Sequence, residues 1–185
     1  MSIPLAHENP FQWLGELQKL AKQQVSSLPQ PEVVQETWRG IAFRLNQYKL
    51  LVNLKDINEI LHCPKAISRV PGARPWIHGI ANIRGQLLPV IDLKACLGGP
   101  NTVLKNSTRL LIMNHANIFS GVLVDEVLGI KHFSEDERID PADMQAKEDW
   151  IAGFIREGFR QEREEWGVFD MLMLSKSRQF LDAAA

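Results

Sequence analysis

The stretch HGIANIRGQLLPVIDL, His78–Leu93, is apolar on both sides of one arginine that is followed by one glycine. Ile80–Arg84 and Gln86–Ile91 read as a tight antiparallel pair around Gly85, because glycine supplies the dihedral that a two-residue turn requires. Arg84 then stands at the turn, where the chain must be wet. Asp92 follows as the cap of a short helix, Leu93–Leu97, which Gly98 and Gly99 stop.

The neighbouring segments carry the same pattern. From Trp38 the apolar period is 2: Ile41, Phe43 and Leu45 alternate with Ala42 and Arg44, as a half-buried strand requires. Asn46-Gln47 turns the chain into a strand from Tyr48 to Val52, and a further short strand is predicted over Ile57–Leu61. With the His78–Leu93 hairpin these close a first half. After a polar loop, Asn101–Thr108, the pattern recurs as RLLIMN (Arg109–Asn114), IFSGVLVDEV (Ile118–Val127) and LGIKHF (Leu128–Phe133). An acidic loop, Ser134–Asp149, holds Pro141 and scattered carboxylates that argue against a continuous strand. A final hairpin pairs Gly153–Phe159 with Glu165–Asp170, and a closing helix carries Leu172, Leu174 and Phe180. Many short strands punctuated by glycine and proline indicate small closed barrels, and two groups of them indicate two barrels.

Ahead of the strands, Asn9-Pro10 is a helix start, with Phe11, Trp13, Leu14, Leu17 and Ala21 supplying an apolar stripe; Pro29 and Pro31 end it. The organisation expected is a helical extension over 1–36, a β domain over 37–175 and a tail over 176–185.

Composition narrows the function. The 185 residues are 45% hydrophobic and 23% charged, with 21 basic against 22 acidic side chains, so no electrostatic footprint points to nucleic acid or an anionic membrane. No segment approaches the roughly 20 apolar residues of a bilayer span, and the N-terminus MSIPLAHENP lacks a cationic leader; a cytoplasmic protein without direct membrane insertion is expected. Cys63 and Cys96 are not at metal or redox spacing. His7, His62, His78, His115 and His132 fall at no zinc spacing, and His62-Cys63, as strand neighbours, point to opposite faces. Ser107, Ser120 and Ser134 lack the context of a nucleophile elbow, and Gly98-Gly99-Pro100 is no phosphate loop. The residues therefore point to no metal, no cofactor and no catalytic centre, hence to a protein that is not an enzyme and works through binding.

Several motifs, in order, carry a resemblance. GIANIRGQLLPVIDL resembles the GVINLRGxxxPVIDL signature of the CheW-like domain of bacterial chemosensory adaptors. Asp56–Leu61 resembles the V-x-E-I-type strand of that family, ISRVPGARPWIHG its proline-bearing link, SGVLVDEVLGI its VGLLVDEVxGV, and WIAGFIR its Y-[IL]-x-G segment, together covering about Ile41 to Phe169. The extension PFQWLGELQKL, the strand EWGVF and the ending RQFLDAAA resemble the branch that serves type IV pilus twitching motility.

The resemblance implies a mainly β, CheW-like fold of two small five-stranded SH3-like barrels sharing a hydrophobic seam, with an N-terminal helix and short connecting and C-terminal helices. It implies a non-enzymatic adaptor of a two-component signalling array, located at membrane-associated receptors through its partners. Those partners are the regulatory domain of a chemosensory histidine kinase and the cytoplasmic tip of a methyl-accepting chemotaxis-type receptor. Arg84 and Glu59 are the expected receptor-binding residues, Ile57, Glu59 and Leu61 the expected kinase-binding residues, and Gly79 and Gly85 the expected structural turn residues.

Overall fold

A computed structural model of the chain describes residues 37–115, 118–144 and 149–182. The helical extension expected over 1–36 lies outside the described residues. Eleven strands carry the described chain: β1 Trp38–Leu45, β2 Tyr48–Asn53, β3 Glu59–His62, β4 Ile77–Ile83, β5 Gln86–Asp92, β6 Arg109–His115, β7 Ile118–Val124, β8 Glu126–Phe133, β9 Arg138–Ile139, β10 Ile155–Gln161 and β11 Glu164–Phe169. They form a six-stranded sheet in the order β8-β1-β2-β11-β10-β9 and a five-stranded sheet in the order β3-β6-β7-β5-β4. The fold is thus mainly β with two small sheets; the additional sixth strand is the two-residue β9, which the acidic loop lays antiparallel to β10.

The sheets do not follow the two halves of the sequence. β1 and β2 belong with β8–β11, and β3–β7 stand between them in the chain as one inserted sheet. Parallel pairings, β2 with β11 and β5 with β7, complete the two sheets, and the remaining ladders are antiparallel.

Three apolar layers result, because alternate residues of a strand point to opposite faces. Ala42, Leu51, Phe133, Phe159 and Trp166 fill the inside of the first sheet. Ala81, Leu88, Val90, Leu110, Ile112 and Leu123 fill the inside of the second. Between the sheets runs a shared seam, where Ile41, Phe43, Leu50 and Val52 meet Ile91, Leu111, Met113, Val122 and Val124. The central strands are therefore buried on both faces, which is why LLIM and VLV read as continuous apolar runs rather than as alternation. It also corrects the half-buried reading of β1: Ala42 is fully buried on the inner face, and Arg39 and Arg44 alone on that strand stand in solvent.

Caps fix the connections. Asp92 accepts a bond from Ala95 N (3.3 Å) at the start of the helix Leu93–Cys96, and Gly98 ends that turn at φ +92°. The run predicted as one strand over Ile118–Val127 breaks at Asp125, whose carboxylate accepts from Lys94 Nζ (2.7 Å) and from Asn46 N (2.6 Å). Two short helices close the described chain, Met171–Lys176 capped by Asp170 and Arg178–Leu181 capped by Ser177. Phe180, in the second, is buried in the seam and anchors the described part of the segment expected as a tail, 176–182, to the core.

Candidate functional site

The hairpin between β4 and β5 closes through Ile83 opposite Gln86, leaving Arg84 and Gly85 as a two-residue turn. Both have positive φ, +53° and +86°, the pattern of a type I′ turn, whose twist matches that of the flanking strands. Gly85 N donates to Asn82 Oδ1 at 2.8 Å, tying the turn to β4. Gly85 is thus the turn residue that the sequence predicts. Gly79 is not: it lies within β4, at a bulge where the register with β5 shifts, with φ +145°. A Cβ there would stand 2.3 Å from Ser68 O, because the link after β3 crosses β4 at this point through a Ser68–Ile80 bridge. Close backbone approach, not a turn, requires that glycine.

Glu59 opens β3. Its register partner on β6 is Ile112, a residue of the second sheet's inner layer, so the carboxylate sits at the end of that layer. Arg84 Nη2 reaches Glu59 Oε1 at 2.6 Å, with the arginine side chain 77% exposed and the glutamate 28%. The two expected receptor-binding residues are therefore brought together. β3 and β4 are the outermost strands of the five-stranded order, so an ion pair from β3 to the turn that follows β4 requires the sheet to curl toward closure. An exposed pair of this kind stabilises a fold by about 0–1 kcal/mol. Its effect here is to orient an exposed guanidinium. Leu87, 71% exposed, stands on β5 just beyond the turn.

The expected kinase-facing strand is rearranged. A single helical turn, Leu54–Asp56, precedes β3, with Asn53 Oδ1 accepting from Lys55 N at 3.0 Å. Ile57 leaves that turn, is 8% exposed and belongs to the seam, which corrects its assignment to an exposed interface. Leu61 is half-buried against the second sheet's inner layer, on the same face as Glu59. Ile60, 38% exposed, and His62 form the outward face of β3 instead.

The sequence reading missed the pairing of Lys94 with Asp125. Lys94 is buried, and its Nζ lies 2.7 and 3.0 Å from the two carboxylate oxygens. The pair joins the helix after β5 to the β1–β2 turn, because Asp125 also receives Asn46 N. An aspartate at the end of the apolar run VLV was the available signal, since a carboxylate among buried strands needs a partner. Among the described residues no group of three or more His, Cys, Asp or Glu is arranged to hold a metal. Burial pushes the Cys63 thiol up, and burial followed by the nearby Asp92 carboxylate pushes Cys96 up to about 12, so both stay protonated at neutral pH.

Comparison with known proteins identifies the family and the fold. Residues 39–177 match the family model of the CheW-like domain. Protein PilI of Pseudomonas aeruginosa is 32% identical over 180 residues, covering 96% of this chain and 97% of that protein. The chemotaxis protein CheW of Bacillus subtilis is 33% identical over 97 residues, 52% of this chain and 62% of that one. Among solved structures, the scaffolding protein TtCheW of Thermoanaerobacter tengcongensis superimposes with a TM-score of 0.63 at 20% identity, over 76% of this chain and 94% of that chain. With its residues matched to the family model, its two interleaved sheets and its likeness to PilI along nearly the whole length, the chain belongs to the CheW-like domain family.

Proposed function

We propose that this protein is a non-catalytic adaptor of a chemosensory array serving type IV pilus twitching motility. It joins the cytoplasmic tip of a methyl-accepting receptor to the regulatory domain of a histidine kinase. The observation that carries the reading is the turn at Arg84: a non-glycine residue held at positive φ, its guanidinium exposed and oriented by Glu59. Backbone in that region costs about 1–2 kcal/mol for an ordinary side chain, and such outliers concentrate where function over-determines the structure. A planar fork suits the carbonyls and carboxylates at the bend of a helical hairpin. The likeness to PilI supports the pilus system, and no helix among the described residues is long and apolar enough to cross a membrane, so membrane association comes through the receptor.

Reconstitution tests this directly. Purified protein, mixed with membranes bearing the receptor and with the histidine kinase, should bring kinase to the membranes and make its autophosphorylation depend on the receptor's signalling state. Failure of the wild-type protein to recruit kinase would overturn the adaptor reading; recruitment by an Arg84→Ala variant as efficient as wild type would remove Arg84 from it.

A further inference from the structure

At the opposite end of β4 from Arg84, roughly 20 Å away along a seven-residue strand, the link ISRVPGARPWIHG folds into a cleft of about 350 Å³. Arg69, Arg74 and His78 supply its basic wall; Val70, Ala73 and Pro75 supply an apolar one. The link is held rigidly. Ser68 and Ile80 exchange backbone bonds of 2.9 and 2.8 Å, Asp92 N donates to Trp76 O at 2.8 Å, and Ile77 N donates to Arg74 O at 2.9 Å. A cleft built this way loses little entropy when it is filled.

Its charge is unbalanced. Asp92 is the one carboxylate in the lining, and both its oxygens are engaged, Oδ2 by Thr102 N at 2.6 Å and Oδ1 by Thr102 Oγ1 at 2.8 Å. Arg69 has no ion-pair partner among the described residues. Arg74 lies over the Trp76 ring and pairs through Nη2 with Asp182 Oδ2 at 2.7 Å, while its Nε is buried without a hydrogen-bond partner. A carboxylate from this chain's own C-terminal segment thus already occupies one edge of the arginine.

We propose that this cleft docks an acidic peptide segment of a protein partner. A partner aspartate or glutamate pairs with Arg69 and competes with Asp182 for Arg74, while the neighbouring apolar side chains of the peptide cover Val70 and Pro75. The resident counter-ion is a carboxylate, and an apolar wall fits a peptide better than a bare ion. The surface is separate from the Glu59–Arg84 pair and does not depend on the adaptor reading.

The test is a nitrogen-15 NMR titration of the full chain, including arginine Nε–Hε resonances, with the peptide acetyl-Gly-Glu-Glu-Leu-Glu-Gly-amide. Its glutamine counterpart and inorganic phosphate serve as parallel arms. The glutamate peptide should give saturable shifts at Arg69, Arg74 and His78, and the glutamine peptide none. Arg69→Ala should weaken binding at least about tenfold, as the loss of a charge-assisted bond does. Asp182→Asn should tighten it by up to about fivefold, by removing an exposed competitor. Absent or equal shifts with the two peptides, or unchanged affinity in either variant, would overturn the proposal. Phosphate saturating the same resonances while the peptide is silent would show a small-anion site and overturn it as well.

Discussion

Arg84 is kept in a conformation that asparagine or glycine adopts more easily, and its ion pair with Glu59 is too exposed to offset much of that cost. Arg84→Asn should therefore leave the melting temperature unchanged or a few degrees higher, since about 1 kcal/mol shifts a domain of this size by roughly 2–4 °C. Receptor coupling should fall, and melting and receptor binding measured on one preparation check both. On β3 the contrast is sharper. Ile57→Asp places an unpaired charge in the seam, a cost of several kcal/mol against a total stability of about 5–15 kcal/mol, and should abolish cooperative folding. Ile60→Asp, on the exposed face, should melt within a few degrees of wild type and weaken kinase capture. Circular dichroism and kinase pull-down separate the two variants. The motif singled out Glu59 and Arg84, which the fold brings together, but the strand pattern misjudged Ile57, because Ile57, Ile60 and Leu61 offer apolar side chains to either face. Only the helical turn at Leu54–Asp56, announced by Asn53 as its cap, takes Ile57 off the strand.

At the level of elements, Gly79 and Gly85 share positive φ for different reasons. Nothing surrounds a Cβ at Gly85, so Gly85→Ala should cost about 1 kcal/mol, from the dihedral alone. At Gly79 the same substitution meets the Ser68 carbonyl and should cost about 3 kcal/mol or more. Chemical denaturation of the two variants side by side gives the difference. The turn at Gly85, the Asp92 cap and the stop at Gly98 were all readable, because each depends on residues within a few positions of one another. Gly79 was misread as a turn because the strand that crowds it belongs to a link eleven residues earlier. Phe180, read as an apolar position of one closing helix, does reach the seam, but Ser177 breaks that helix in two, because its hydroxyl caps the second turn.

Over the whole described domain, the seam decides behaviour. It draws side chains from both sheets, so neither inner layer is complete without it. Leu111→Ala should cost about 2–5 kcal/mol. It should also lower the melting of both sheets together: hydrogen exchange in β3–β7 and fluorescence of Trp166 in the first sheet should report one coincident transition. Separate transitions would mean the sheets are independent. Two groups of strands were visible in the sequence, but their interleaving was not, because β1 finds its neighbour β8 about ninety positions downstream and no local pattern specifies a pairing at that distance. That interleaving has a consequence for synthesis. Residues 59–124 contain every strand of the inserted sheet and can begin to pair as soon as they leave the ribosome, whereas the β1–β2 hairpin, apolar on both faces, is translated before them and must wait for β8 and β11, near residues 126 and 164. Ribosome-arrested chains whose emerged part ends near residue 125 should protect β5–β7 from proteolysis more than β1–β2, making the first strands to be translated the last to be buried and the ones most in need of a chaperone.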